Sequence, residues 1–375
     1  MMKRVVVMTM LGVAFGALGA AGAVGLCDYK PPQTDLTSVW LSGTYRYFDD
    51  PATAGVDVNA GRATMSLAKL FDSPGFGYTV SGVGELGFAN LALASLAAQG
   101  AATARYYFAS GEPYFGFGSL SAGYATGQPK PGITLSVGAG YGRFSDVTPL
   151  AKAFRIQAML LARKQLAQNL PDDTLLAVAK EIGRWAEYAA GKDPATAAKD
   201  LAAAVGRLIE AGAKIRLDLR AVLAIEEEIL ATGRERYCGW AVQAGLGYEL
   251  VDPYGDPQDV VVTASADAAY APNPDGQLLF RALAVGPFDI VNQHTLSVIL
   301  SYEQALSPTS SFLANAALQR VKPLGAGPKD SLSLNAQVSF VWGKANVGVA
   351  LGLSKAADAP GWSVDLSLSL AMKIL

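Results

Sequence analysis

The 375-residue sequence has one histidine and two cysteines, too few soft or imidazole donors for a His- or Cys-based metal centre. It also lacks a helical membrane span, since beyond residue 24 no apolar run reaches the roughly eighteen residues that a spanning helix needs. The longest candidate, 91–104, is interrupted by Gln99 and Gly100. There is no phosphate-binding loop, dinucleotide fingerprint or metal motif, so no cofactor is expected. Charged residues make up only 17 % of the chain and the net charge is −2. With no basic stripe, nucleic acid is not an expected partner.

Apolar sequence and glycine are abundant. Hydrophobic residues reach 51 % with 40 glycines, and the mean hydropathy is +0.25. A chain this apolar without spanning helices fits the remaining membrane architecture, a closed barrel whose backbone groups are all paired between strands. At the N-terminus Lys3 and Arg4 precede an apolar stretch, Val5 to Val24, with small residues at Ala21-Gly22-Ala23. This pattern predicts a secretory signal peptide over 1–23.

The charges are concentrated. Residues 149–237 carry 14 Lys+Arg and 12 Asp+Glu, or 26 of the 62 charged residues. That shift divides the mature chain into 24–148, 149–237 and 238–375. In the flanking parts the period is two. Val364, Leu366, Leu368, Leu370, Met372 and Ile374 alternate with Ser363, Asp365, Ser367, Ser369, Ala371 and Lys373. Similar alternation runs through 332–342, 347–353, 133–141, 240–250, 76–88 and 39–47, with weaker segments at 60–71, 101–109, 113–124, 258–270, 277–286, 294–303 and 310–321. Alternation sustained for about ten residues suits a tilted membrane-crossing strand. The expected fold is a transmembrane antiparallel β-barrel of about 14 strands (range 12–16), about six before the insert and eight after it. Trp40, Tyr47, Phe76, Phe108, Tyr114, Trp240, Tyr302, Phe312, Trp342 and Trp362 lie near strand ends, as interfacial girdles would require.

Residues 149–237 instead show helical spacing and predict an inserted α-helical bundle. Thr148-Pro149 reads as an N-cap and first-turn proline, Asp172 and Asp173 as caps of a second helix, and Asp193-Pro194 as the start of a third. A fourth helix is expected over about 215–232, stopped by Gly233. If the mature N-terminus is periplasmic, six strands return the chain to the periplasm before the insert, and the bundle is expected there. Cys27 and Cys238 then fall on the same side, and an even pair in an exported chain predicts a disulfide.

Candidate functional residues follow from the inward parity, which is dominated by Gly, Ala, Ser and Thr. Arg46, Arg62, Arg105, Arg143, Glu85, Glu249 and Asp267 are the candidate pore-lining residues. They could set a weak field across a lumen or pair with one another and merely solvate its wall. Three functions fit: a porin or small-solute channel gated, plugged or equipped with a partner site by the bundle, an anchor whose bundle contacts cell wall or periplasmic proteins, or a lipid-modifying enzyme. The enzyme reading would combine His294 with Ser297 or Ser301, but Ser and His are common where loops enter strands, so no catalytic site is assigned.

The signal-like N-terminus, the long alternation and phrases such as Ser301-Tyr302-Glu303 followed by Leu306-Ser307-Pro308 resemble outer-membrane β-barrel (porin-like) proteins of diderm bacteria. The resemblance implies outer-membrane lipid and the outer-membrane assembly machinery as partners.

Overall fold

A computed structural model describes residues 24–31, 33–48, 58–255, 259–307, 309–342, 345–357, 359 and 361–373. The expected signal segment 1–23 lies outside the described residues. Among the described residues there are fourteen strands: β1 (Thr34–Phe48), β2 (Val58–Asp72), β3 (Phe76–Ala89), β4 (Ala92–Tyr107), β5 (Tyr114–Ala125), β6 (Gly132–Asp146), β7 (Tyr237–Val251), β8 (Val260–Asn273), β9 (Gly276–Pro287), β10 (His294–Ser307), β11 (Ser310–Lys322), β12 (Lys329–Trp342), β13 (Ala345–Lys355) and β14 (Ser363–Lys373). Each pairs with its sequence neighbours, and β1 also pairs antiparallel with β14, Trp40 opposite Lys373 and Gly43 opposite Leu370. That last pairing closes the barrel.

Register sorts the side chains onto two faces. On one face Leu41 pairs with Met65, Leu86 with Leu96, Leu120 with Leu135 and Val349 with Leu368. These large apolar groups are exposed, Leu366 by as much as 74 %, which in water would be an extended aggregation surface. The opposite parity supplies Ser81, Gln99, Ser121, Thr134, Glu249 and Arg281, which line one cavity from six strands. Residues of six strands converge in this way only on the concave side, so the apolar face is the outside. Among the described residues, charges on the outer face lie near strand ends, as with Lys69 beside Asp35 and Arg320 beside Asp330.

Aromatic residues bracket this apolar band. Phe76, Tyr106, Phe108, Tyr114 and Trp240 are exposed at one end of the strands. Tyr114 meets Tyr141 edge-on at 4.7 Å, and Tyr141 lies 5.2 Å from Trp240. Tyr45, Tyr124, Tyr248 and Trp362 are exposed towards the other end. From Phe76 to Phe88 the chain rises roughly 40 Å, or about 30 Å along the axis at a typical barrel tilt, close to a hydrocarbon core. The side chains of three expected girdle residues, Trp40, Tyr47 and Trp342, lie outside the described residues.

The two barrel ends differ. At one, β2–β3, β8–β9, β10–β11 and β12–β13 are joined by two or three residues and β4–β5 by 108–113. The chain leaves β6 and re-enters β7 at this short-turn end. The other end carries 126–131, 252–259, 288–293, 323–328 and 356–362. Its exception is β3–β4, which turns on Asn90 and Leu91 at φ +53° and +62°, a two-residue hairpin with both residues left-handed. Because that turn is so tight, β4 starts at Ala92. The alternation expected from 101 therefore begins nine residues too late. Alanine-rich sequence (Ala92, Ala94, Ala97, Ala98) fills both faces and hides the period.

The insert forms five helices: α1 (Thr148–Ala162), α2 (Asp172–Ile182), α3 (Trp185–Ala189), α4 (Pro194–Ala213) and α5 (Leu219–Leu230). Four were expected, and the short α3 is additional. Leu150, Ile156, Leu160, Val178, Leu201, Val205, Ile209 and Ile225 form the buried core of the bundle. Several expected boundaries shift. Thr148 is already helical, with Val147 at the N-cap, and Asp172 and Asp173 sit in the first turn of α2 behind Pro171, where their charge favours the helix dipole. The last helix begins at 219, not 215, because Asp218 accepts from the Ala221 amide at 2.7 Å and caps it. It ends at Leu230, so Gly233, at φ +82°, follows the stop instead of forming it. Lys152 donates to the carbonyls of Ile229 (2.5 Å) and Ala231 (3.0 Å), satisfying that C-terminus from α1.

Asp193 does cap α4, accepting from the Thr196 amide at 3.0 Å and from its hydroxyl at 2.6 Å. These bonds hold its carboxyl below the ordinary aspartate value of 3.8. A depressed folded-state value contributes stability above the unfolded value, lost as pH falls through the folded one. Acidification below about pH 3.8 should therefore speed Thr196 amide exchange. Asp193→Asn, which keeps an oxygen acceptor but cannot titrate, should flatten that dependence.

Candidate functional site: the barrel lumen

The cavity against β3–β7 and β9 has a volume of about 910 Å³. Its polar lining is mainly hydroxyl and amide groups, Ser81, Ser121, Thr134, Gln99 and Gln128, interspersed with Ala and Gly. Small side chains leave it roomy, and the strand period places them there without interruption.

The expected charges are distributed unevenly along this lumen. Arg62 of β2 and Glu85 of β3 form an ion pair at 3.1 Å, and both remain substantially exposed. Asp267 of β8 pairs with Arg281 of β9 at 2.7 Å; sequence inspection missed Arg281, although its odd parity in 277–285 is the signal that finds it. Glu249 lines the cavity wall with Glu85 and Arg281, with no ion pair among the described residues. The backbone of Arg46 pairs with Ala60, and its side chain lies outside the described residues. These pairs are open to solvent, so each contributes little to stability.

Arg105 and Arg143 occupy the short-turn end instead, in a packed cluster. Phe115 is 0 % exposed, Tyr107 2 % and Phe117 8 %. Tyr107 meets Phe115 edge-on at 5.7 Å and donates to Asp72 Oδ2 at 2.8 Å. The Arg105 guanidinium lies 5.1 Å over the Phe115 ring, and that of Arg143 lies 3.7 Å over Tyr107. Arg143 also donates to the carbonyls of Pro74 (2.6 Å) and Glu112 (3.2 Å). Arg143 was expected on the inward parity, but simple alternation would give it the outward parity of Tyr141. Gly142, at φ +122°, breaks that alternation and turns the following residues over the mouth.

The phenylalanines find room because the wall behind them is glycine. A Cβ on Gly140 would stand 2.5 Å from Phe115 Cε2 and 2.7 Å from the Val242 carbonyl. One on Gly245 would stand 2.9 Å from Phe117 Cζ. Glycine abundance was legible in the sequence, but which glycines seat which rings was not.

His294, the residue on which an enzyme reading would rest, has Nδ1 2.7 Å from the Ile290 carbonyl and pairs in register with Lys322. No hydrogen bond to Ser297 or Ser301 is present among the described residues. Cys27 and Cys238 are both disulfide-bonded; as the chain has two cysteines, they are bonded to each other.

No family model matches the sequence, and no curated protein matches it. Among solved structures the chain is similar to the outer membrane protein Omp33 of Acinetobacter baumannii (11 % identity, TM-score 0.34, covering 92 % of this chain and 100 % of that one). It is also similar to an outer membrane channel of Pseudomonas putida F1 (9 %, TM-score 0.32, 96 % and 98 % covered). A third likeness is to OmpF of Salmonella typhi (7 %, TM-score 0.33, 91 % and 100 % covered).

Proposed function

We propose that this chain is an outer-membrane channel for small polar solutes, exported by the signal segment 1–23. The observation that carries the reading is the roomy, hydroxyl- and amide-lined cavity inside a closed barrel whose outer face is apolar between two aromatic belts. Such an exterior suits lipid, and such an interior suits water and small solutes. Arg62, Glu85, Glu249 and Asp267 line the water-filled part, with Arg46 on the same parity. Arg105 and Arg143 stand at its short-turn end.

On this reading the helical insert lies on the periplasmic side, where it would gate or plug the channel or hold a partner. A partner is favoured by α5, which exposes Leu219, Leu223 and Leu230 at spacings that share one helix face. That surface also suits the second reading, a barrel anchor for a bundle that contacts the cell wall or periplasmic proteins.

Single-channel recording from the purified chain in planar bilayers tests the channel. Discrete current steps are expected, and deleting 149–232 should raise the open fraction if the insert gates. Absence of current both before and after that deletion would sink the channel reading and leave the anchor.

A further inference from the structure

The end of the β6–β7 ladder does not continue the barrel wall. Asp146, the last residue of β6, donates its amide to Thr34 Oγ1 at the start of β1 (3.1 Å), although β1 and β6 are not neighbours in the sheet. On the other side, Tyr237 of β7 exchanges two hydrogen bonds with the Gln277 side chain of β9. The adjoining Arg236 donates to the Asp275 carbonyl and stands 3.7 Å from Glu303 of β10. The paired segments 142–146 and 237–241 thus form a ribbon that reaches from β1 to β9 and β10 across the short-turn mouth.

Two glycines make this bend. Gly142 and Gly239 lie in the facing strands with φ +122° and +131°, a region that side chains rarely enter. A Cβ on either would run into the carbonyl of its partner strand, that of Trp240 or Arg143. Past the bend the ribbon is held by Arg143 on the Pro74 and Glu112 carbonyls and by the Gly142 amide on the Pro113 carbonyl.

Beneath the ribbon, the Asp72–Tyr107–Arg105 cluster is incompletely satisfied. Asp72 is 5 % exposed and Arg105 7 %, yet among the described residues Asp72 Oδ1 and Arg105 Nε have no hydrogen-bond partner. Buried charged atoms left unpaired oppose the closed arrangement. Water reaching them would favour release of the ribbon.

We propose that the β6–β7 ribbon is the constriction that decides what passes this lumen, with Arg143 as its latch. This rests on the channel reading above. Acidic Asp72, Asp146 and Glu303 and basic Arg105, Arg143 and Arg236 ring the same mouth, so the field there runs across the opening and does not favour one ion sign. The solutes it suits are uncharged or dipolar.

The test compares the full chain with Arg143→Ala, and with Arg143→Ala combined with Tyr107→Ala, in planar bilayers under a KCl gradient. Arg320→Ala, on the outer face, serves as control. The latch variants should conduct at least about twofold more than the parent, and their reversal potential should move towards cations as positive charge leaves the mouth. In detergent, the amides of Gly142 and Asp146 should exchange faster while those of 133–139 stay protected. A parent that conducts, with latch variants of equal conductance and selectivity, overturns the constriction and leaves the channel standing. No current from parent or variants overturns both. Faster exchange without a conductance change places the limiting point elsewhere and also rejects the proposal.

Discussion

Gly140→Val is expected to block formation of the folded barrel or to leave a small, easily melted folded fraction. The added Cβ would meet the Phe115 ring on one side and the Val242 carbonyl on the other. The ring cannot retreat, since Phe115 is fully buried beside Tyr107, and the carbonyl belongs to the β6–β7 ladder. Overpacking of this kind costs about 1–3 kcal/mol even where the surroundings can shift. Here both neighbours are fixed, so roughly the upper end is expected. Gly118→Val is the matched control, because nothing lies within 4 Å of a Cβ there. Folded barrels resist unfolding in detergent without heat, so gel migration of unheated and heated samples reads the folded fraction. Equal folded fractions for the two variants would remove the glycine seat as a requirement of the fold.

In the helical insert, Arg155→Ala is expected to destabilise the bundle by about 3 kcal/mol. Arg155 is largely buried on α1, with Nε 2.5 Å from Glu228 Oε1 of α5 and Nη1 2.8 Å from the Pro274 carbonyl. Removing the guanidinium leaves the mostly buried Glu228 carboxylate without its cation and the Pro274 carbonyl without this donor. Replacing both members with apolar or neutral residues of similar volume avoids the uncompensated charge. Arg155→Met with Glu228→Gln should therefore recover most of the loss. Far-UV circular dichroism at 222 nm during urea unfolding of the full chain separates the cases, because helical signal comes from the insert. A single variant no less stable than the double would show that the pair does not hold α1 to α5.

The two parts of the chain were legible to different depths. Strand number followed from period-two alternation because each strand has one face for lipid and one for the lumen, and 363–373 could be read almost residue by residue. The start of β4 could not, because alanines at Ala92, Ala94, Ala97 and Ala98 satisfy both faces. In the insert, Asp193-Pro194 marked its helix start correctly because a side-chain acceptor and a first-turn proline agree. Thr148-Pro149 carried the same signal, yet the chain enters α1 from the end of β6 and Val147 takes the cap position. The disulfide was legible by counting, as only two cysteines exist.

For the lumen, sequence parity placed Arg62, Glu85, Glu249 and Asp267 on the wall, because parity is a property of the extended backbone alone. It could not show which charges meet: Arg62 finds Glu85 across one ladder, while Asp267 finds Arg281, a residue that sequence reading had passed over. Arg143 shows the limit most clearly. Its position depends on one glycine torsion and on carbonyls contributed by two turns, at Pro74 and Glu112. By itself, then, the sequence determined a barrel of about fourteen strands, within a range of 12–16, an inserted bundle and a polar interior, through periodicity and charge density that act locally. Only the tertiary structure decided where the barrel narrows, because that depends on residues distant in sequence meeting across the mouth.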